Sequence, residues 1–152
     1  MTSAQQDQLY RSLFGRDLAT VETLPGQDLG RDLALVTSGA CDLATVSGID
    51  NLGQSLTLAL TTRLGDDAFD TSYGFDGLTA LADETDPILQ RERIRVGIVS
   101  VLQRDSRVRQ IIDVTLAGDV FAQTRTLAVT VSFRTIASTQ VSISLSPVVS
   151  NG

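Results

Sequence analysis

Residues 86–115, DPILQRERIRVGIVSVLQRDSRVRQIIDVT, pass from helical to extended spacing with only Asp105-Ser106-Arg107 between the two, and this joint constrains the fold more than any other stretch. Asp86 before Pro87 is a helix start. The carboxylate can accept from the free amides of the first turn, and proline at the first helical position has no N–H to waste. Ile88, Ile94, Ile98, Val101 and Leu102 keep helical spacing, with Arg91, Arg95 and Arg104 between them and Val96 and Val99 widening the apolar stripe. A helix wetted on so narrow an arginine face is expected to pack between layers. Gly97 costs about 1 kcal/mol relative to alanine inside a helix, so it either admits a close neighbour or is a tolerated flaw. Beyond the corner, Val108, Gln110, Ile112 and Val114 alternate with Arg109, Ile111, Asp113 and Thr115, which is the period of a strand. The charged pair in the corner can tie the helix end to what lies beneath it.

Two further strands are expected downstream. In 126–134 (TLAVTVSFR) Leu127, Val129, Val131 and Phe133 share a face, and in 140–146 (QVSISLS) Val141, Ile143 and Leu145 do. Ala137-Ser138-Thr139 connects them and Pro147 stops the last. With 108–116 they predict a three-stranded antiparallel meander whose apolar face lies on the 86–104 helix.

Upstream, Gly48-Ile49-Asp50-Asn51 opens a second helix, capped by Asp50 or Ser47, whose Leu52, Leu56, Ala59, Leu60 and Arg63 share a face before Gly65 ends it. Ahead of that helix one recipe occurs three times: Asp17-Leu18-Ala19-Thr20-Val21, Asp32-Leu33-Ala34-Leu35-Val36 and Asp42-Leu43-Ala44-Thr45-Val46. The unequal spacing is no solenoid period. It predicts short strands, the last two paired as a hairpin around 37–40, with Pro25-Gly26 a turn before them. Residues 1–8 are polar and expected to be mobile, and Leu9, Tyr10, Leu13 and Phe14 form one or two amphipathic turns ending at Gly15. The fold class is therefore α+β: a small antiparallel sheet packed against two main helices, with an N-terminal β-hairpin. Residues 1–30 are read as an N-terminal extension and 31–152 as a single domain.

Composition excludes most chemistries. The chain of 152 residues contains no histidine, and all of its basic residues are arginine. Without histidine there is no Ser-His-Asp or Cys-His site and no imidazole metal site, and without lysine no GxxxxGK phosphate loop. Cys41 is single, so no internal disulfide forms; it reads as a small, half-buried hairpin residue. In 65–78 (GDDAFDTSYGFDGL) the spacing of Asp66, Asp67, Asp70 and Asp76 does not fit an alternating calcium loop, and a solvated loop is expected. Within it Tyr73, Gly74 and Gly77 form a more specific loop motif, since glycines around aromatics permit turns that other residues resist. A two-carboxylate glycosidase would have to use Glu84 or Glu92, and Glu92 sits among arginines, a setting that disfavours a protonated general acid. The chain is read as a non-enzyme with no cofactor. A net charge of −6 opposes binding to nucleic acid or an anionic membrane. No apolar run suits a membrane span and no leader is expected at the N-terminus, so a soluble protein is expected.

In order and spacing these elements resemble the sheath-initiator family of contractile phage tails and contractile injection systems, also called the baseplate wedge or lysozyme-like tail protein family. That last label never meant demonstrated catalysis. The resemblance covers residues 32–146. It rests on the Asp-Leu-Ala-x-Val hairpin leading into Gly48-Ile49-Asp50-Asn51-Leu52, on the leucine helix ending in Thr61-Thr62-Arg63-Leu64-Gly65-Asp66, and on the aromatic-Gly element at 73–78. The long helix and three terminal strands complete it. Family members often carry Glu-Pro-Arg after the long helix, and Asp105-Ser106-Arg107 stands at that corner here. The resemblance implies a virion tail baseplate or contractile injection particle, assembled in the cytoplasm of the producing cell. Six copies would link baseplate wedge proteins to the sheath protein, with tube or hub proteins as further partners, and would template the first sheath ring.

Wedge contacts are then expected from Asp105, Ser106, Arg107, Arg91 and Arg95. A sheath arm would add to the edge of 126–134 or 140–146 by backbone pairing, through Thr126, Thr130, Ser132, Arg134, Gln140, Ser142 and Ser144. The alternative readings are a cytoplasmic anti-adaptor-like module, since a similar fold binds a response regulator, and a minor wedge protein of a non-contractile tail.

Overall fold

Asp86 caps its helix as its place before Pro87 predicts, accepting from the amides of Ile88 at 2.8 Å and Leu89 at 3.3 Å. The structure is a computed structural model and describes residues 3–24, 30–36, 38–39, 41–77, 79, 83, 85–119 and 126–145. In chain order the elements are α1 (Ser3–Phe14), β1 (Arg16–Leu18), β2 (Thr20–Glu22), β3 (Arg31–Leu33), β4 (Leu35–Val36), β5 (Asp42–Leu43) and β6 (Thr45–Ser47). After them come α2 (Ile49–Thr61), α3 (Pro87–Arg104), β7 (Val108–Asp119), β8 (Thr126–Thr135) and β9 (Gln140–Leu145). The class is α+β, with small antiparallel sheets and, among the described residues, these three helices.

The three terminal strands form one antiparallel sheet in the order β7-β8-β9. β8 buries Leu127, Val129, Val131 and Phe133 on one face, and Ile143 of β9 joins them. Against that face lie Leu52, Leu56, Ala59 and Leu60 of α2 and Ile94, Ile98, Val101 and Leu102 of α3, with Phe14 of α1 closing the cluster. No helix among the described residues is long and apolar enough to cross a membrane.

Several expectations are corrected. Ile88 is 73% exposed and Val96 66%, whereas Gln90 is buried. The buried stripe of α3 is therefore one flank, and the helix covers the sheet from one side instead of lying between layers. In β7 the register slips twice, between Val108 and Gln110 and between Ile111 and Asp113. Each slip inserts an extra residue and rotates the strand, so Ile111, Val114 and Leu116 pack on the core while Ile112 turns outward. Strict alternation cannot show this. The N-terminal segment is helical from Ser3, so a polar stretch expected to be mobile belongs to a 12-residue helix. Its end is anchored by buried Phe14, and Tyr10 Oη lies 3.0 Å from Thr139 Oγ1 in the β8–β9 turn. Neither Asp50 nor Ser47 caps α2: the cap is Gly48, whose amide donates to Gly15 O at 3.0 Å.

The repeated Asp-Leu-Ala-x-Val recipe builds something other than one hairpin. The expected pairing of the second and third copies exists only as β4 with β5, where Leu35 faces Leu43 and Val36 faces Asp42. The other halves of these two copies pair with the first copy, β3 with β2 and β6 with β1, all antiparallel. Each copy thus bends at its alanine and pairs with two different neighbours. At the bends the backbone closes a ring: Ala19 N donates to Ala44 O, Ala44 N to Ala34 O and Ala34 N to Ala19 O, each at 2.8 Å. The aspartates repeat the symmetry, each accepting from the next amide, at Leu18, Leu33 and Leu43. Three equivalent arms therefore meet in a pseudo-threefold junction. Cys41 is exposed beside β5, not half-buried.

Candidate functional site

The corner Asp105-Ser106-Arg107 is where α1, α2, α3 and the sheet converge. Arg107 points its guanidinium inward: Nε donates to Asp105 Oδ1 at 2.9 Å and Nη2 to Asp105 Oδ2 at 2.6 Å, a two-pronged pair. Nη2 also donates to Ser55 Oγ on α2 at 3.0 Å, and Nη1 to the carbonyl of Phe14 at 3.4 Å. That carbonyl, at the end of α1, accepts a further bond from buried Asn51 at 2.9 Å. The backbone of Arg107 continues the tie, its amide donating to Asp105 Oδ1 and its carbonyl accepting from Ile136 N. The arginine is thus a clamp between elements, a role beyond the helix-to-floor tie that the charged corner alone suggests.

Of the residues expected to meet a wedge partner, the structure brings Asp105, Ser106 and Arg107 together, with Ser106 exposed. Arg91 and Arg95 lie 14 and 10 positions earlier on or beside the same helix, so roughly 15–20 Å away. They do not share one spot with the corner. Arg91 donates to the Gly118 carbonyl at the end of β7, and Arg95 pairs with Glu92 at 3.1 Å. A cleft of ≈ 370 Å³ opens beside the corner, lined among others by Ser55, Tyr73, Gly74, Arg104, Asp105 and Arg107.

The loop motif forms the cleft's other wall. Phe75 is buried, its amide donating to Thr62 O at 2.8 Å and its carbonyl accepting from Leu64 N at 3.2 Å. Its ring packs against two glycines: a Cβ on Gly97 would lie 2.7 Å from Phe75 Cε2, and one on Gly77 2.0 Å from Cζ. Gly97 is therefore a seat for Phe75 and not a flaw. The loop's aspartates serve the loop itself, Asp67 accepting from Phe69 N and Asp70 from Ser72 N and Oγ. Among the described residues no three acidic or cysteine side chains converge on a metal site.

The sheet edges need one correction. From Val129 to Arg134 β8 is paired on both sides, with β7 and with β9, so this part of 126–134 cannot offer a free edge. Thr130 and Ser132 reach across to Ser144 and Ser142, with oxygens 3.3 Å apart. The outer strands differ in kind. β7 is broken by two bulges and carries Arg109 and Asp113, devices that blunt an edge. β9 is regular and uncharged from Gln140 to Leu145, and among the described residues it is paired on one side only. Arg134 and Gln140 face each other at its start.

Asp105 gives the corner a pH dependence. Burial works against its carboxylate, but hydrogen bonds from the Arg107 side chain and amide, and the nearby positive charge, outweigh it and hold the group below the usual aspartate range. The unfolded chain then binds the proton more readily, so this contribution is fully present above about pH 4, the ordinary aspartate value, and is lost as pH falls through the lower folded value. In urea unfolding followed from pH 6 down to about 2.5, Asp105→Asn is expected to lose stability less steeply than wild type across that acid window. Parallel slopes would mean that Asp105 carries no linkage.

Comparison with solved structures finds a likeness of fold to the crystal structure of a "putative tail lysozyme" from Geobacter sulfurreducens, with a TM-score of 0.50 and 15% identity, covering 78% of this chain and 99% of that one. No family model matches the sequence, and no curated protein does. At this identity the two share a fold, and this chain contains almost the whole of the neighbour's.

Proposed function

We propose that this chain is a structural protein of a tail particle, seated where the baseplate meets the contractile sheath, and that it starts the first sheath ring by lending the edge of β9 to an extended arm of a sheath subunit. The observation that carries the reading is the β9 edge, unpaired among the described residues, on a fold shared along 99% of the chain of the "putative tail lysozyme". An unpaired strand offers a row of N–H and C=O groups that a partner strand can complete, with alternate side chains setting the register. Here those side chains are Ser142 and Ser144 on the exposed face and Val141, Ile143 and Leu145 on the packed one. Wedge proteins would approach the helical side, near Ser106, with six copies closing the ring. The role is binding, not catalysis, and uses no cofactor.

Purified sheath protein should polymerise to regular length on baseplates that carry this chain, seen by electron microscopy, and start irregularly or not at all on baseplates without it. In hydrogen exchange, outward amides of β9 should gain protection when sheath is added, while those of β8 are protected throughout. Sheath that nucleates normally with β9 exchange unchanged would remove β9 as the acceptor. Sheath that nucleates equally well without the chain would remove initiation altogether.

A further inference from the structure

The three-way junction of β1 to β6 rests against the body of the protein without sharing its core. No described residue between 16 and 47 belongs to the buried apolar cluster or packs against it. The chain enters the junction after Gly15 and leaves it before Gly48, and the Gly48 amide donates to the Gly15 carbonyl at 3.0 Å, so the two crossings lie side by side. Each glycine has a positive φ, 77° at Gly15 and 70° at Gly48. Room is not what demands glycine there, since an added Cβ would meet Asn51 Nδ2 or Tyr10 Cβ at an ordinary 3.5 Å. What the two positions need is the left-handed backbone, which glycine adopts without steric cost. Adjacent glycines, one on each crossing strand, make a point at which small changes of φ and ψ can turn a whole element.

Within itself the junction is closely tied. Its centre is the ring of backbone bonds through Ala19, Ala34 and Ala44, all half-buried. Side chains brace the arms around it: Arg31 Nε donates to Thr20 Oγ1 at 2.8 Å and Arg16 Nη2 to Thr45 Oγ1 at 2.9 Å. Toward the body, among the described residues, the side chain that reaches across is that of Gln54 on α2. Its Oε1 accepts from Thr20 N at 2.8 Å and from Thr20 Oγ1 at 3.1 Å, and its Nε2 donates to Leu18 O at 2.8 Å. Gln54 is only half-buried, so water can take over each of these bonds when they open. Val46 and Ser47, also half-buried, lie next to the glycines and would move least. An element that shares no core and is fastened by exchangeable bonds belongs to the low-energy end of local opening.

We infer that the junction is a hinged arm, which pivots as one piece about Gly15 and Gly48 and is latched in this orientation by Gln54. This goes beyond the tail reading and does not rest on it. Amide exchange in the isotope-labelled full chain, followed by NMR, tests whether the latch opens by itself. The Thr20 amide is expected to exchange at least about tenfold faster than the ring amides of Ala19, Ala34 and Ala44, because the latch opens while the ring stays closed. Orientation is read with a nitroxide on Cys41, which is exposed in the junction and is the single cysteine of the chain. In Gln54→Ala the broadening that the label causes in α2, α3 and β7 to β9 should move to different amides, while broadening within 16–22, 31–36 and 42–47 keeps its pattern. Chemical shifts of β8, unchanged without the label, prove that the variant is folded. Unaltered broadening of the body would mean that the arm stays in place without its latch, and altered broadening within the arm that it unravels; either result overturns the inference. So would equal exchange of Thr20 and the ring, the sign of a junction that opens only by unfolding.

Discussion

Arg107→Ala is expected to lower stability by about 3 kcal/mol, because removing one member of a largely buried pair leaves the other charged and unpaired. The Asp105 and Arg107 side chains keep only 16% and 24% of their accessible surface, so solvent does little to screen the pair. Two further groups lose a partner at once, Ser55 Oγ and the Phe14 carbonyl, the latter keeping its bond from Asn51. At roughly 2–4 °C of Tm per kcal/mol for a chain of this size, the transition should fall by about 6–12 °C. Asp105→Asn should cost less, since the amide can still accept from Arg107. The double variant Asp105→Ala with Arg107→Ala should be clearly less destabilised than the sum of the single ones. Additive losses would show that the guanidinium acts through Ser55 and Phe14 alone. For the proposed wedge contact, Arg107→Ala is a poor probe, because a failure to bind would follow from the loosened corner. Ser106, exposed at the same corner, separates the two effects: Ser106→Arg should leave Tm nearly unchanged while blocking a close partner.

Features whose cause lies within a few residues were legible in the sequence. Asp86-Pro87 starts a helix by local hydrogen bonding, and β8 and β9 alternate cleanly because each buries one face against helices. The acidic and basic corner was legible as a tie, but Ser55 and Phe14, its distant partners, leave no trace at positions 105–107. The bulges of β7 escaped because a slipped register hides inside a run that is apolar at both candidate phases, Ile111 and Ile112. The threefold junction was half visible. Repetition of Asp-Leu-Ala showed that three segments are equivalent, while the bend at each alanine, which decides whom each half pairs with, depends on all three chains meeting. An exchange of partners at a bend carries no periodicity. Gly97 was readable as an either-or choice, and Phe75, a long way off in sequence, settles it.

Gly74→Ala is expected to cost about 3 kcal/mol, because two penalties fall on the same residue and neither can relax cheaply. With φ at 108° the backbone lies where an L side chain is strained, a cost of about 1–2 kcal/mol. The added Cβ would also stand 2.7 Å from Arg63 O, 2.8 Å from Arg63 C and 2.9 Å from Leu64 N, all backbone atoms. A rotamer change cannot clear them, and overpacking of this sort costs typically 1–3 kcal/mol. Retreat of the loop would stretch the bonds that hold Phe75 in the core, Phe75 N to Thr62 O and Leu64 N to Phe75 O. Gly39→Ala supplies the control: φ there is also positive, at 94°, but no atom lies within 4 Å of the added Cβ. It should lose only the conformational part, about 1 kcal/mol. Urea unfolding of both variants separates the two causes, with midpoints shifting at unchanged slope. If Gly74→Ala and Gly39→Ala cost the same, the contact with Arg63 is soft, and the loop that seats Phe75 beside Gly97 is held by its own turn rather than by the end of α2.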